Sequence, residues 1–463
     1  MPRKLIAYST YVAHYVLPRR SVVEGLGGTG SPSGCRSVAS HDEDAITMAT
    51  AAVRRLPDEH LDAERLYLAT STPPFQDKTN AAVVHAASGR DDWVLAMDVG
   101  GLRSGFAALR TASDTGGVAV LSDLRTGRPG SAEELEGGDA AAAFLFGSGD
   151  GAVAEVLGTC SRSVELMDTW RTPGSEYPQV WEERFATFVH GSALKEVASQ
   201  LAKDTGLTST PDHTVVAAPN RRFASTAARG VGAASGTAAQ DSHRQLVGYC
   251  GAAEAGLLLS RTLDNSRAGD TILLLSAAGG VDAMMLRVLR DGPGSELYQA
   301  ELAARLEVPY VSYLTWRGFL EREPTRRPER PAVAAPAAFR NQTWKYGLIG
   351  SRCDACGKVY LPPQRVCGSC GGVDSTQPYA AAHRLATVAA VSTDAVTDTP
   401  APPAMAAMLD FDGGGRLTAE LTETRPDEIA VGSRVEMTFR RTYAVRGTPN
   451  YFWKARPTKE ETR

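Results

Sequence analysis

The sequence predicts a duplicated, layered α/β fold followed by a small all-β region, on three observations. Short apolar strands alternate with small-residue helices over the first 290 residues, the same order of elements occurs twice at an offset of 147 residues, and hydrophobic alternation of period two takes over towards the C-terminus. At 463 residues there is room for about three domains.

In the first copy Asp42, Glu43 and Asp44 precede Ile46, Ala49, Val53 and Leu56, whose helical spacing is stopped by Pro57. Arg65–Thr70 reads as a strand running into a polar, Pro-rich turn, and a second apolar strand is expected from Trp93 to Met97. Gly100-Gly101-Leu102 opens a small-residue helix, Ser104 to Thr111, before the buried-looking strand Val118–Leu121. The second copy repeats this: a helical stripe of Leu194, Val197, Ala198 and Leu201 ended by Gly206, then the strand His213–Ala217. Gly248-Tyr249-Cys250-Gly251 opens a helix ending at Leu257 to Arg261, and the strand Thr271–Leu275 closes the copy. Leu102 and Tyr249 hold equivalent places, 147 residues apart. Strands alternating with helices imply largely parallel sheets.

Residues 321–338, with Pro324, Pro328, Pro331 and Pro336 among arginines and alanines, read as a linker. Beyond it Met405–Phe411 and Arg416–Leu421 flank Gly413-Gly414-Gly415 as a hairpin, and Val435, Met437 and Phe439 alternate along a later strand, so a small barrel is expected.

Four of the seven cysteines form two CxxC pairs, Cys353/Cys356 and Cys367/Cys370, with ten residues between the pairs. Two facing knuckle turns at that spacing place four thiolates at the corners of a tetrahedron, and Gly357, Gly368, Gly371 and Gly372 suit the turns. Four protein ligands leave no open position, so a structural zinc is expected here.

Apolar residues make up 43% and charged residues 22%, the balance of a chain with a packed core. A net charge of -4 argues against a broad nucleic-acid or anionic-membrane footprint. From Ala338 onward 16 Lys and Arg face 13 Asp and Glu, so nucleic acid is not expected as a ligand of the barrel, and Tyr443, Tyr451, Phe452 and Trp453 are expected in its core. No apolar run reaches the ~18 residues of a membrane span and Met1-Pro2-Arg3-Lys4 does not start a signal-peptide pattern, so a cytoplasmic location is expected.

Several segments carry a resemblance: DEDAITMA, TSTPPFQDK, DVGGLRSGFAAL, TFVHGSALKEVA, VVAAPNRRF, GYCGAAEAGLL and YLTWRGFL. Through them residues 1 to about 320 resemble the archaeal and bacterial 3-hydroxy-3-methylglutaryl-CoA synthases of the thiolase superfamily, relatives of type III ketoacyl synthases. Residues 339–457 resemble an acyl-CoA-associated module of a rubredoxin-like zinc ribbon and an OB-fold. The resemblance implies a thiolase-type α-β-α-β-α layered fold with halves at 1–165 and 166–320, the linker at 321–338, the ribbon at 339–375 and the OB-fold at 376–463.

In that superfamily a cysteine at a buried helix N-terminus accepts the acyl group of an acyl-CoA, because the helix dipole and free N–H groups favour its thiolate. A histidine and an asparagine polarise the thioester carbonyl, and in the synthase a glutamate moves the condensation proton. Each position has lost its chemistry in this chain. The cysteine falls on Leu102, the histidine of a His-x-Pro-Asn turn on Ala217 beside the retained Pro219 and Asn220, the asparagine of Gly-Asn on Tyr249, and the glutamate on Ser71.

Three readings follow from the resemblance. The chain is an organising subunit whose working cysteine lies on a thiolase-like partner, resembling in this respect the bacterial acetylphloroglucinol acyltransferase. Or it is an active acyltransferase or aldolase with relocated groups, Cys250 as nucleophile, Tyr249 as acid or base and Asn220 orienting a carbonyl, against which Cys250 can equally be a small buried residue. Or it binds a CoA or acyl-carrier thioester without catalysis, with Lys78, Arg103, Arg221 and Arg222 meeting phosphates. A homodimer or a hetero-oligomer with a thiolase-like partner is expected, since thiolase folds pair across a sheet edge. His190 matches a family histidine, for which capping or packing is an equal reading. Cys35 and Cys160 carry no assigned role.

Overall fold

A computed structural model describes residues 3–57, 63–89, 94–149, 151–181, 183–207, 209–231, 237–323, 328 and 330–458. The chain forms two compact units: Met1–Ser40 with Asp44–Ala82 and Asp91–Arg317, and His41–Glu43 with Val83–Arg90 and Gly318–Arg463. Among the described residues no helix is long and apolar enough to cross a membrane.

In the first unit nine strands make one sheet: β1 (Arg3–Val12), β2 (Arg65–Thr70), β3 (Leu95–Gly100), β4 (Gly117–Leu124), β5 (Asp139–Gly147), β6 (Ala154–Ser163), β7 (His213–Ala217), β8 (Thr271–Ala277) and β9 (Gly280–Val288). Their order is β7-β8-β9-β6-β1-β5-β4-β2-β3. The two copies meet where Arg3–Leu5 of β1 pairs with Ala154–Val156 of β6. Three pairings are parallel and five antiparallel, which corrects the expected, largely parallel arrangement. β8 and β9 are separated only by Ala278-Gly279, a connection too short for the crossover that a parallel neighbour requires.

Five helices complete the layers: α1 (Ala45–Val53), α2 (Ser104–Thr115), α3 (Glu183–Thr205), α4 (Arg221–Gly230) and α5 (Glu254–Asp264). α1 lies on β1, β4 and β5, α2 packs on β2 and β4, α5 on β5, β7 and β8, and α3 on β6, β8 and β9. The alternation of a strand's side chains separates the layers. Val215, Ala217, Ile272, Leu274, Met284 and Leu286 share a core with Phe106 and Leu109 of α2 and Leu258 of α5. Their neighbours Val216, Leu273, Leu275, Ala283 and Met285 face Leu194, Val197 and Leu201 of α3. This is the predicted α-β-α-β-α order, and each fully buried Leu, Met or Phe in it contributes about 1.5–3 kcal/mol by leaving water. α1 starts where Asp44 caps it: the carboxylate accepts from the Ile46 and Thr47 N–H groups at 3.0 Å, and the Thr47 hydroxyl accepts from the Asp44 N–H at 2.8 Å.

β3 ends the sheet and stays open to solvent along its length, with Leu95 55% and Met97 41% exposed. Trp93, the expected start of this strand, lies outside the described residues, as do Met1, Pro2 and Pro324 of the linker. Residues 335–338, expected as linker, fall in the helix Ala335–Arg340.

In the second unit β10 (Ile349–Cys353), β11 (Val359–Tyr360) and β12 (Thr376–Ala380) form a three-stranded sheet. β13 (Ala386–Asp394), β14 (Ala404–Phe411), β15 (Arg416–Glu420), β16 (Arg434–Val445) and β17 (Thr448–Pro457) form an antiparallel sheet in the order β15-β14-β13-β16-β17. A bridge between Leu421 and Ala455 joins its two edges into a small barrel. Val435, Met437 and Phe439 point inward, and Tyr451 and Trp453 pack on Phe439, so these aromatics are core. Phe452 and Tyr443, also expected in the core, are only half-buried: Phe452 packs on Trp344, and the Tyr443 hydroxyl donates to the Pro331 carbonyl at 3.3 Å. The same unit buries an ion cluster: Lys454 lies 3.0 Å from Asp42 and 2.9 Å from Glu420, while Arg440 pairs with Glu43 and Glu423.

Candidate functional site

The site forms where the two pseudo-equivalent helix openings meet the C-terminal ends of β2, β4 and β7. Backbone geometry fixes Tyr249 first: its N–H donates to the Glu136 carbonyl at 2.7 Å, and its own carbonyl accepts from the Gly138 N–H at 2.9 Å. Two guanidiniums lie over its ring, Arg244 at 4.7 Å and Arg125 at 5.6 Å from the ring centre. The ring's electron cloud therefore meets two cations. Burial pushes the phenol well above its usual pKa against the pull of Arg125 and Arg244, so the hydroxyl keeps its proton. It makes no hydrogen bond among the described residues.

The other three positions are also accounted for. Ser71 donates through its hydroxyl to Asp123 Oδ2 at 2.7 Å and through its N–H to Asp123 Oδ1 at 2.7 Å, and the same carboxylate accepts from Thr70, Thr72 and the Ala252 N–H. Arg125 reaches the Ser71 hydroxyl at 3.3 Å and Glu133 at 3.0 Å. Leu102 stands half-buried before α2, and Ala217 ends β7 in the core. At these three places stand two apolar side chains and a hydroxyl bonded to a carboxylate.

Cys250 does not have the surroundings of a nucleophile, which corrects that expectation. It is fully buried, and burial, with Glu254 and Asp139 nearby, pushes the thiol well above its usual value, so the helix opening does not yield a thiolate. Its Sγ, His243 and Glu254 gather within 4.8 Å, all buried. Glu254 is already neutralised there: burial opposes its charge, but Arg244 Nε at 2.7 Å outweighs it and holds the carboxyl below its usual pKa. The trio is therefore a buried polar cluster behind Tyr249, with its positive charge supplied by Arg244.

A cavity of about 850 Å³ opens in front of Tyr249, lined also by Asn220, Arg221, Arg222, His190 and Asp168. Asn220 caps α4, its Oδ1 accepting from the Phe223 N–H at 2.8 Å and its Nδ2 donating to Glu183 at 3.1 Å, so both ends of its amide are engaged. Arg103 corrects an expectation: it makes a two-pronged ion pair with Asp282, both contacts 2.9 Å, and also donates to Ser163, so its charge is spent away from the cavity. Lys78 lies over the Phe75 ring and does not line the cavity. Sequence reasoning missed Asp123, Arg125 and Arg244, which sit in no motif, and the role of Glu254 within GYCGAAEAGLL; the four meet only through the fold.

The cysteine cluster has the geometry of a metal centre. Cys353 and Cys370 Sγ lie 3.7 Å apart and Cys356 and Cys367 Sγ 3.5 Å apart. A tetrahedron with metal–sulfur bonds of ~2.3 Å has edges close to these values, whereas a disulfide would bring sulfurs to about 2.0 Å. The two knuckles are alike: Gly357 and Gly371, both at positive φ, donate to the Cys353 and Cys367 carbonyls at 2.9 and 2.8 Å. The Tyr360 hydroxyl approaches Cys367 Sγ at 3.3 Å. The four thiolates fit a structural zinc, which would tie β10 to the second knuckle.

Fold and cysteine cluster together define a thiolase-type core joined in one chain to a zinc ribbon and a barrel. Residues 345–375 match the family described as ChsH2, rubredoxin-like zinc ribbon domain, and residues 379–440 the one described as ChsH2, C-terminal OB-fold domain. The hydroxymethylglutaryl-CoA synthase of Methanopyrus kandleri is 26% identical over 334 residues, 67% of this chain and 95% of the relative. Among solved structures, HMG-CoA synthase complexed with CoA shares the fold at TM-score 0.58 and 20% identity, over 67% of this chain and 89% of that one. The HMG synthase of the curacin biosynthetic pathway in complex with apo donor-ACP does so at TM-score 0.58 and 17% identity, over 68% and 88%. The core is hydroxymethylglutaryl-CoA synthase-like, and the C-terminal region is a zinc-ribbon and OB-fold module.

Proposed function

We propose that this chain handles acyl thioesters, of coenzyme A or of an acyl-carrier protein, in an acyl-transfer or carbon–carbon bond-forming step, and leaves the acyl-cysteine chemistry to a thiolase-like partner. The observation that carries this is the double hydrogen bond of Ser71 to Asp123, which with the apolar Leu102 before α2 leaves neither of these two positions with a nucleophile or an unengaged carboxylate. Similarity to hydroxymethylglutaryl-CoA synthases supports the thioester, and the relative solved with a donor carrier protein supports the carrier form. Arg221 and Arg222 in the first turn of α4 suit the phosphates of either. The open edge of β3 supports association through the sheet, with a second copy or with the thiolase-like partner.

The test is CoA release from short acyl-CoAs by the purified chain, followed with a thiol-reactive dye against a blank. No release alone, and release once a thiolase-like partner is added, is the expected result; sustained release by the chain alone overturns the division of labour. A second reading, relocated catalysis through Tyr249, is favoured by one observation: the residue lines the cavity and its hydroxyl has no hydrogen-bond partner among the described residues. Tyr249→Phe abolishing release by the chain alone would select it.

A further inference from the structure

We propose that Tyr360 is a positioning residue of the cysteine centre: its hydroxyl singles out Cys367 as the anchoring sulfur and makes it the slowest of the four to be attacked. The two knuckles repeat bond for bond at an offset of 14 residues. The Cys353 N–H donates to the Lys358 carbonyl at 2.9 Å and the Cys367 N–H to the Gly372 carbonyl at 2.8 Å, and Gly357 and Gly371 close the two turns alike. Cys353 and Cys367, the first cysteine of each pair, are equally buried at 2% exposure, whereas Cys356 and Cys370 are exposed. Backbone and burial therefore leave Cys353 and Cys367 equivalent.

Tyr360 breaks that equivalence. β11 pairs with β10 through Tyr360 opposite Ser351 and Val359 opposite Arg352. Val359 is buried, so the alternation of the strand turns Tyr360 to the other side, where its hydroxyl lies 3.3 Å from Cys367 Sγ. The residue at the matching place after the second knuckle is Asp374, an acceptor held by Arg365 at 2.8 and 2.7 Å, with no proton to give Cys353. Among the described residues no hydroxyl reaches Cys353, Cys356 or Cys370. A cysteine that serves as a metal ligand is a thiolate, so in this pair the hydroxyl is the donor. A hydrogen bond to a charged acceptor is among the stronger ones, and it engages a sulfur lone pair that an electrophile would need. Outer partners of metal ligands act in this way, orienting the ligand and tuning the centre. The centre is thus built to open from Cys356 and Cys370 and to stay anchored at Cys367.

The experiment loads the full chain with zinc, measures the metal content, and applies sub-stoichiometric N-ethylmaleimide, reading the modified site in singly labelled chains by peptide mass spectrometry. Cys353 is expected to be labelled about tenfold more often than Cys367. Tyr360→Phe keeps the ring and its shielding, and is expected to bring the two to parity and to weaken zinc binding about tenfold against a chromogenic chelator. A merely structural loss would raise the labelling of all four cysteines together, so the ratio is the readout. Equal labelling of Cys353 and Cys367 in the unaltered chain, or a ratio unchanged in Tyr360→Phe, overturns the assignment, and so does a chain that takes up no zinc. If Tyr360→Phe does not fold, the ratio in the unaltered chain decides.

Discussion

A Cβ placed on Gly105 would lie 1.9 Å from the carbonyl oxygen of Ala252, the residue that holds the equivalent position in the other copy, 147 residues on. The openings of α2 and α5 therefore touch backbone to side-chain position, and only glycine fits. Because the opposing atom is main chain, it cannot swing aside. Gly105→Ala is expected to destabilise the first unit by about 3 kcal/mol, the upper end for overpacking, read as a lowered midpoint in denaturant unfolding.

Tyr249 separates ring from hydroxyl as two testable contributions. Tyr249→Phe keeps both cation–π contacts and is expected to change stability little while weakening thioester binding. Tyr249→Leu removes the shared ring between Arg125 and Arg244 and is expected to cost about 2 kcal/mol in thermal unfolding. Equal stability of the two variants would show that the stacked cations contribute nothing.

The cysteine cluster predicts one zinc per chain by metal analysis. Cys356→Ser is expected to lower that content and loosen the ribbon, because metal binding there is folding free energy. A chelator should add four reactive thiols in a dye titration. Finding no bound metal, with the four thiols reactive from the start, would contradict the site.

Asp42 gives the second unit an acid-sensitive lock. Burial works to raise its pKa, but Lys454, His41 and Arg440 outweigh it and hold the carboxyl well below the usual range. A depressed carboxyl contributes stability that is present above its unfolded pKa of ~4 and is lost as pH falls below that. Unfolding of the barrel followed by the fluorescence of buried Trp453 should therefore turn steeply easier below about pH 4. Asp42→Asn should flatten that slope and cost about 3 kcal/mol at neutral pH.

The exposed edge predicts association. Leu95→Glu combined with Met97→Glu puts charge on the two most exposed apolar side chains of β3 and should shift sedimentation towards the monomer. A native chain that already sediments as a monomer, with or without a thiolase-like partner, would remove the edge from consideration.

Where packing is local, the sequence was legible. Arg65–Thr70 and His213–Ala217 were read to the residue, since a short run of apolar and β-branched side chains between polar ends has few other solutions. β5 was not read: its Ala-Ala-Ala-Ala-Phe-Leu-Phe core is buried on both faces, so it shows no alternation, and alanine favours helix. That strand is one reason the sheet is mostly antiparallel. Arg103 was misread because its partner, Asp282, is 179 positions away, and a cation's charge partner carries no local pattern. The Asp123, Arg125 and Arg244 framework stayed hidden for the same reason, whereas the CxxC pairs were plain because their ligands are close in sequence.

The position of β1 has a consequence for how the chain is made. It lies between β5 and β6, whose residues are synthesised well over a hundred positions after it, so its hydrogen-bonding edges wait unpaired while the intervening helices form. The central sheet cannot close until β6 has emerged, and during that interval the Ile6, Val12 and Tyr11 stretch is an aggregation hazard of the nascent chain. Expression yield should thus respond more to a chaperone that shields early strands than to any change at the cavity.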